Sequence, residues 1–406
     1  MLDKRLNALA WPTALILVFH RLVVLAWTGS VTDDFTTVQS ATRRFVERVP
    51  VYNEVYHHVN PHYLYNPGAT LLLAPLGLTA DTGLIRPWFI LLNAVAIVAA
   101  LGWMTRLVNH SLSSPLFPMS IALAFITESV TNTLVFSNIN GVLLFALVAY
   151  LAFLLRGHSW WAGLVIGLAI VIKPMFLPLL FLPLVKLDWK AIVAGIAVPA
   201  GLNAIAWPLV PGANDYLTKV VPYLGETRDY ANSSLAGFAV YFGMPGWMEK
   251  TLWALLALMV AFAAVALVTL RDTEPLVWAT TTAAVLLTGV FLLSSLGQAY
   301  YSMMLFPAMF TAVGRVSFFH TPTAWLGALL ALSPLQWMSP HFPQLGKWLT
   351  YFLPTAGWAV LIVAAATWVG WTAWTNSRSF PTNNGAKSSP PPSTTSCVRQ
   401  APSHPV

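Results

Sequence analysis

Two adjacent acids, Asp33 and Asp34, follow the first hydrophobic stretch of a chain in which only 9% of residues are charged. A carboxylate at a partly desolvated membrane edge has a raised pKa and is suited to take a proton as a general base. Adjacent carboxylates repel, so one of the pair is more basic than the other. The same spacing fits a plainer role, since Asp34, ahead of Phe35-Thr36-Thr37-Val38, has the position of an N-cap on an interfacial helix. A second polar group follows at Tyr52-Asn53-Glu54-Val55-Tyr56-His57-His58 and His62-Tyr63-Leu64-Tyr65. Such a run either hydrogen-bonds sugar hydroxyls and stacks on sugar faces or forms an aromatic belt at the membrane surface. Two histidines with Glu54 raise a divalent metal as a cofactor. Adjacent His57 and His58 are poorly spaced to chelate one, so that reading is without support.

Cations and amides form a third group. Lys173, directly before Pro174, stands alone at a helix break, a costly position that marks a functional candidate. It either pairs with a lipid phosphate or snorkels to the interface. Arg228, in Thr227-Arg228-Asp229-Tyr230, has the planar fork to grip a phosphate, or else pairs with Asp229. Arg21 lies inside the first span and needs a carbonyl or Glu128 as partner. Glu128, Thr131, Asn132, Thr133, Asn138 and Asn140 run down one helix to an outer turn, where Asn138 and Asn140 either pack helices or line a site. No Walker loop, dinucleotide fingerprint, zinc signature or nucleophile elbow is present, so nucleotide-driven chemistry is not indicated.

The elements that must position these residues are membrane helices. The chain has 406 residues, 57% of them hydrophobic, and its apolar runs are continuous and long enough to cross hydrocarbon. Helices satisfy their own backbone there. Spans are expected at 8–29, 84–105, 115–136, 139–156, 190–210, 250–270, 276–296, 300–318, 322–339 and 349–375, with an apolar interfacial helix over 68–80 kinked at Pro75. The stretch 160–186 is broken by prolines. With Lys4 and Arg5 inside, the basic turns at Arg106, Arg156, Lys186, Lys190, Arg271 and Arg315 all fall inside only if 160–173 and 174–186 are two short crossings. That gives about twelve crossings, both termini cytoplasmic, and long outer loops at 30–83 and 211–248. The first span lacks an Ala-x-Ala site before Thr28-Gly29-Ser30 and reads as retained. Residues 1–375 form one transmembrane domain, and the Ser/Thr/Pro-rich segment 376–406 a disordered cytoplasmic tail. The net charge of +7 reports orientation and contact with the lipid bilayer, not nucleic-acid binding. The one cysteine, Cys397, lies in the tail and excludes a disulfide framework.

Several long motifs then carry a resemblance. They are the Asp pair, Tyr52-Asn53-Glu54, Asn60 to Tyr65, Thr131 to Gly141, Leu224 to Ser234, Val240 to Pro245 and Gln298 to Pro307. From about Ala8 to Trp374 the chain resembles the actinobacterial arabinofuranosyltransferases that place α-(1→3) branches in cell-wall arabinan, of glycosyltransferase family eighty-seven with the GT-C architecture. The resemblance implies an all-α polytopic membrane enzyme at the plasma membrane with its active site on the outer, periplasmic face. It implies decaprenyl-phosphoryl-arabinofuranose as donor, arabinan of arabinogalactan or lipoarabinomannan as acceptor, and inversion at the anomeric carbon. The family's catalytic Asp maps onto this pair, with Asp34 preferred because it begins the Asp-Phe-x-x-Val pattern. Lys173 and Arg228 would hold the donor phosphate. His57, His58, His62, Tyr63, Tyr65, Asn138, Asn140, Asp229, Tyr230, Gln298 and Tyr300 would contact sugar or acceptor. The alternatives are a polyprenyl-phosphate-mannose enzyme of the same family and a lipid or solute transporter.

Overall fold

The computed structural model describes residues 2–57, 62–333 and 337–378, and among these the secondary structure is entirely helical. Helix α1 (Leu2–Phe19) runs on through a π-helical stretch, His20–Trp27, as one rod. After a bend, α2 (Asp33–Val46) begins with the acid pair. The N-cap reading of Asp34 is corrected here: Thr32 holds the cap position, and its hydroxyl donates to the Phe136 carbonyl at 2.9 Å. Asp34 therefore sits inside the first turn, where the helix N-terminus favours negative charge. Helix α3 (Pro67–Leu73) has proline in its first turn, and its cap residue Asn66 accepts from Ala69 N–H at 2.9 Å. It gives way to a 3₁₀ turn, Ala74–Gly77, at the expected kink. Asp81 caps α4 (Thr82–Leu107).

The expected span 115–136 is two helices, α5 (Leu116–Ile126) and α6 (Glu128–Val135). Thr127 turns extended between them (ψ 147°), and its hydroxyl accepts from Val130 N–H. The polar residues counted along one helix thus belong to a separate short one. Helix α7 (Asn140–Leu155) lies against α4. A Cβ on Gly141 would stand 2.6 Å from the Asn93 carbonyl oxygen, so this approach requires glycine.

The segment 160–186 is broken at Lys173 into α8 (Ser159–Ile172) and a 3₁₀ run, Pro174–Leu180, that continues as α9 (Phe181–Val185). Lys173 meets Asn140 at the start of α7, and Lys186 donates to Leu154 at its end. The twelve residues 174–185 therefore return along the whole of α7. They manage it because a 3₁₀ helix rises ~2.0 Å per residue against 1.5 Å in an α-helix.

Helix α10 (Trp189–Leu209) packs on α8. The short helices α11 (Val221–Leu224) and α12 (Leu235–Phe242) lead to α13 (Gly246–Leu267) and α14 (Pro275–Leu293). The expected span 300–318 is mostly 3₁₀ turns around α15 (Phe306–Met309). Helix α16 (Pro322–Leu332) is shorter than expected and α17 (Pro343–Arg378) longer, and α17 packs on α13, α14 and α16. Residues 379–406 of the expected tail lie outside the described residues. Six helices among the described residues are long and apolar enough to cross a membrane, with shorter apolar helices between them. These are the helices of a multi-pass membrane protein.

The bundle has two unlike ends. At one, Lys186 bonds the backbone beside Arg156, and Arg271 donates to the Val185 carbonyl at 3.0 Å, so three of the expected basic turns meet. The other end carries Asp34, Asn138 and Lys173. Arg21 takes a carbonyl, that of Phe125, at 3.2 Å.

A polar cavity around Asp34

A cavity of about 500 Å³ opens at the end away from the basic turns, lined by segments far apart in sequence. Asp34 reaches it from the first turn of α2, Asn138 from the turn before α7, Lys173 from the break after α8, and Arg228, Gln298 and Tyr300 from the later loops. Asp34 is half-buried, yet its Oδ2 is shut from solvent and makes no hydrogen bond. Burial raises its pKa above the ordinary carboxylate value. Lys173, the Tyr300 hydroxyl, the Asn138 amide and Arg228 act in the opposite direction without cancelling it. Tyr300 and Asn138 are thus near enough to act on the carboxyl, but neither closes a hydrogen bond to Oδ2, and the Asn138 side-chain nitrogen is itself unpartnered.

Lys173 donates to Asn140 Oδ1 at 2.7 Å, and its Nζ lies 4.5 Å from the Tyr301 ring centre and 5.7 Å from that of Tyr300. The Lys173 amine is thus held by one amide and two aromatic faces; burial lowers its pKa to about 7, against which Asp34 acts. Arg228 lies over the Tyr223 ring at 5.7 Å. Among the described residues no ion pair joins it to Asp229, so its guanidinium edge is not spent on that carboxylate. Burial raises the Tyr65 hydroxyl pKa, leaving it a neutral donor at the cavity wall.

Three buried groups hold these loops in place. Arg86, 3% exposed, donates to the carbonyls of Ala26, Gly29, Ser30 and Val135 and to the Ser137 hydroxyl. It ties the end of the first span, just before Asp34, to the turn that carries Asn138. Asn66 donates to the Val171 carbonyl at 2.7 Å while capping α3, which pins the tyrosine loop to the end of α8 next to Lys173. Asn232 spends both ends of its amide, donating to Arg228 O and Ser295 O and accepting from Ser234 and Gly297 N–H. The Arg228 loop and the Gln298 turn are thereby one unit.

Of the residues singled out from sequence, Asp34, His62, Tyr65, Asn138, Lys173, Arg228, Gln298 and Tyr300 line the cavity. Asn140 stands behind it as the partner of Lys173. Four others do not line it. Tyr63 is fully buried and its hydroxyl bonds Thr70 at 2.9 Å, a core contact. His57 packs edge-on against His62, its N–H 3.0 Å from His62 Nε2, so it supports the wall and does not line it. Asp229 and Tyr230 face solvent outside the cavity. His58 lies outside the described residues, as does the side chain of Asp33. Glu54 is committed to Arg44 at 2.7 Å and to Tyr63 N–H at 3.0 Å. Among the described residues no group of three or more His, Cys, Asp or Glu is arranged to hold a metal. Sequence reasoning missed Arg86, Asn232 and Tyr301. The Asn66-Pro67-Gly68 helix start was a usable signal for Asn66, whereas nothing local marks Arg86.

Residues 63–295 match the model of "Glycosyltransferase family 87", a stretch that contains Lys173 and Arg228 and begins after Asp34. The chain is 58% identical over 368 residues to an alpha-(1->3)-arabinofuranosyltransferase of Corynebacterium glutamicum, covering 91% of this chain and 88% of that protein. Enzymes of the same name from Mycolicibacterium smegmatis and Mycobacterium tuberculosis are each 41% identical, over 88% and 89% of this chain and 84% of theirs.

Proposed function

Because this chain belongs to glycosyltransferase family 87, we propose that the cavity around Asp34 transfers arabinofuranose to arabinan in α-(1→3) linkage, with decaprenyl-phosphoryl-β-D-arabinofuranose as donor. The named relatives support the sugar and the linkage. A lipid-linked donor stays in the bilayer and presents its sugar at a membrane face, which suits a cavity at the end of a helical bundle. Basic turns gathered at the opposite end favour an outer, periplasmic position for the cavity and cytoplasmic termini.

The observation that carries the reading is the Asp34 carboxyl, whose Oδ2 is buried and unpartnered beside Lys173. An acceptor hydroxyl placed there donates to Oδ2. As its oxygen attacks C1 of the arabinose, the proton passes to Asp34, and the bond from C1 to the phosphate oxygen breaks with its electron pair leaving on the lipid phosphate. Attack opposite the leaving group inverts the β donor to an α product, with no covalent sugar–enzyme intermediate. A raised pKa brings the base closer to the operating pH. Negative charge grows on the departing phosphate, and fixed cations stabilise it without reorganisation. Lys173 and Arg228 have that role, while Tyr65, Tyr300, Gln298, Asn138 and His62 offer donors and acceptors to sugar hydroxyls.

The test is transfer from a synthetic polyprenyl-phosphoryl-arabinofuranose to an arabinan oligosaccharide, followed by linkage analysis of the product. The expected product has a new α-(1→3) arabinofuranose that the Asp34→Asn variant does not form. Transfer from a polyprenyl-phosphoryl-mannose supplied in its place, with none from the arabinose donor, would show that the sugar is wrongly assigned. An Asp34→Asn variant as active as the parent would remove the proposed mechanism.

A further inference from the structure

At the end of the bundle away from Asp34, a hollow of about 630 Å³ runs between α1, α4 and α5. Its wall descends α4 from Leu91 through Val95 and Ala99 to Trp103, and it finishes at Arg106 in the last turn of α4 and Arg156 just past the end of α7. Fifteen residues of helix separate Leu91 from Arg106, about 22 Å at 1.5 Å per residue. One leaflet of hydrocarbon is about 15 Å deep. The groove therefore runs from headgroup level past the middle of the bilayer, and Val95 and Ala99 are exposed along it. Both arginines are exposed, and among the described residues neither takes part in an ion pair or a side-chain hydrogen bond.

We infer that this groove binds one anionic phospholipid of the leaflet opposite the catalytic cavity, with an acyl chain along α4 and the phosphate between Arg106 and Arg156. Three observations commit it to that occupant. The wall is aliphatic from Leu91 to Ala99, which excludes a sugar or a free nucleotide along its length. Its length fits an acyl chain entering from the surface. Its mouth pairs two fork-shaped cations with no acid among the residues that line it, and basic pockets between membrane helices on the cytoplasmic side recognise anionic headgroups. Trp103 adds an aromatic ring at the depth where headgroup and chain meet. The inference is independent of the transfer reaction, because none of these residues lines the cavity around Asp34.

Native mass spectrometry of the purified full chain in detergent, titrated with phosphatidylglycerol or phosphatidylcholine of equal chain length, tests it. The parent should retain phosphatidylglycerol preferentially. Arg106→Gln with Arg156→Gln should lower that retention roughly thirtyfold, at about fivefold for each cation near the headgroup. Because both side chains are exposed, the double variant should melt like the parent in lipid-free detergent. Ala99→Trp, which fills the groove and leaves the arginines, should also displace the lipid. Equal retention of the two lipids by the parent, or undiminished phosphatidylglycerol on the double variant, would overturn the assignment. So would undiminished retention by Ala99→Trp, which would mean that the headgroup is held at the surface with no chain in the groove.

Discussion

Two polar clusters share the first long loop and are built from similar residues, yet they keep opposite hydrogen-bond accounts. Around Tyr52 the donors are all used: Tyr52 bonds the Tyr65 carbonyl at 2.9 Å, Tyr63 bonds Thr70, Thr70 bonds the Asn66 carbonyl, and Arg44 bonds Val51 O and Glu54. Around Asp34 they are not. Asp34 Oδ2, Asn138 Nδ2 and Asn140 Nδ2 are buried and make no hydrogen bond. A buried polar group left unpaired costs about 1–3 kcal/mol, and folded proteins leave few of them. Several converging on one cavity beside a lysine mark a place where a ligand completes the set. On the proposed reading the first cluster holds the loop and the second acts, a division that residue type alone does not draw.

Asp34→Asn breaks the comparison most directly. The amide keeps the shape and removes the base, so transfer should fall by about 10²–10⁴, with the melting midpoint close to the parent's. Initial rates with a synthetic lipid-linked donor check it, and a parent-like rate would move the acting site elsewhere. Lys173→Met should cost about 10²–10³ by removing a fixed charge from the leaving phosphate. It should also shift the pH profile, with a sign that follows from the site. Burial raises the Asp34 pKa and Lys173 opposes that rise. Without the ammonium the carboxyl holds its proton to higher pH, so the acid limb of kcat/KM should move upward. An unmoved or lowered limb would mean that Lys173 and Asp34 do not interact.

How much of this was legible in sequence depends on the reach of each contact. Asp34 was legible because acids are scarce here and its neighbours form a helix start. The break at Lys173 was legible because Pro174 follows it and because the basic turns need two passes. The placement of Tyr63 was not legible, because neighbouring residues of this irregular segment point different ways: His62 and Tyr65 line the cavity, while Tyr63 bonds Thr70. The break at Thr127 was overlooked because apolar runs on both sides hid a capping threonine. Arg86 was not legible at all. It reads as a flanking charge next to Pro87, and only the folded chain brings it to carbonyls at and just past the end of the first span and at the end of α6.

That knot supplies the intermediate case, a satisfied group whose work is to position unsatisfied ones. Arg86→Lys keeps the charge but offers three donors where the guanidinium has five in a rigid fork. At least one carbonyl then loses its bond, and the Asn138 turn is free to shift relative to Asp34. A displacement of about 1 Å at a reacting group can cost up to 10² in rate, so kcat should fall by about ten- to a hundredfold. The donor KM should change far less, because Lys173 and Arg228 are held by other contacts. A rise in KM with kcat unchanged would place Arg86 in donor binding instead.

The smallest effect on activity, and the sharpest test of the comparison, belongs to Tyr63→Phe. Its hydroxyl is one of the few sugar-binding candidates that the fold turns away from the cavity, and it is fully buried against Thr70. Removing it leaves the ring packed on Tyr52, whose centre is 5.9 Å away, and leaves Thr70 still bonded to the Asn66 carbonyl. The loss should therefore be one ordinary hydrogen bond, about 1 kcal/mol of stability, read as a small drop in melting temperature. Neither kcat nor the acceptor KM of the folded enzyme should change. Tyr300→Phe, the same chemical edit on the cavity wall, should do the reverse and lower the rate with little effect on melting. If both variants lost activity alike, the aromatic loop would be part of the acceptor site, and hydrogen-bond satisfaction would not distinguish scaffold from site in this loop.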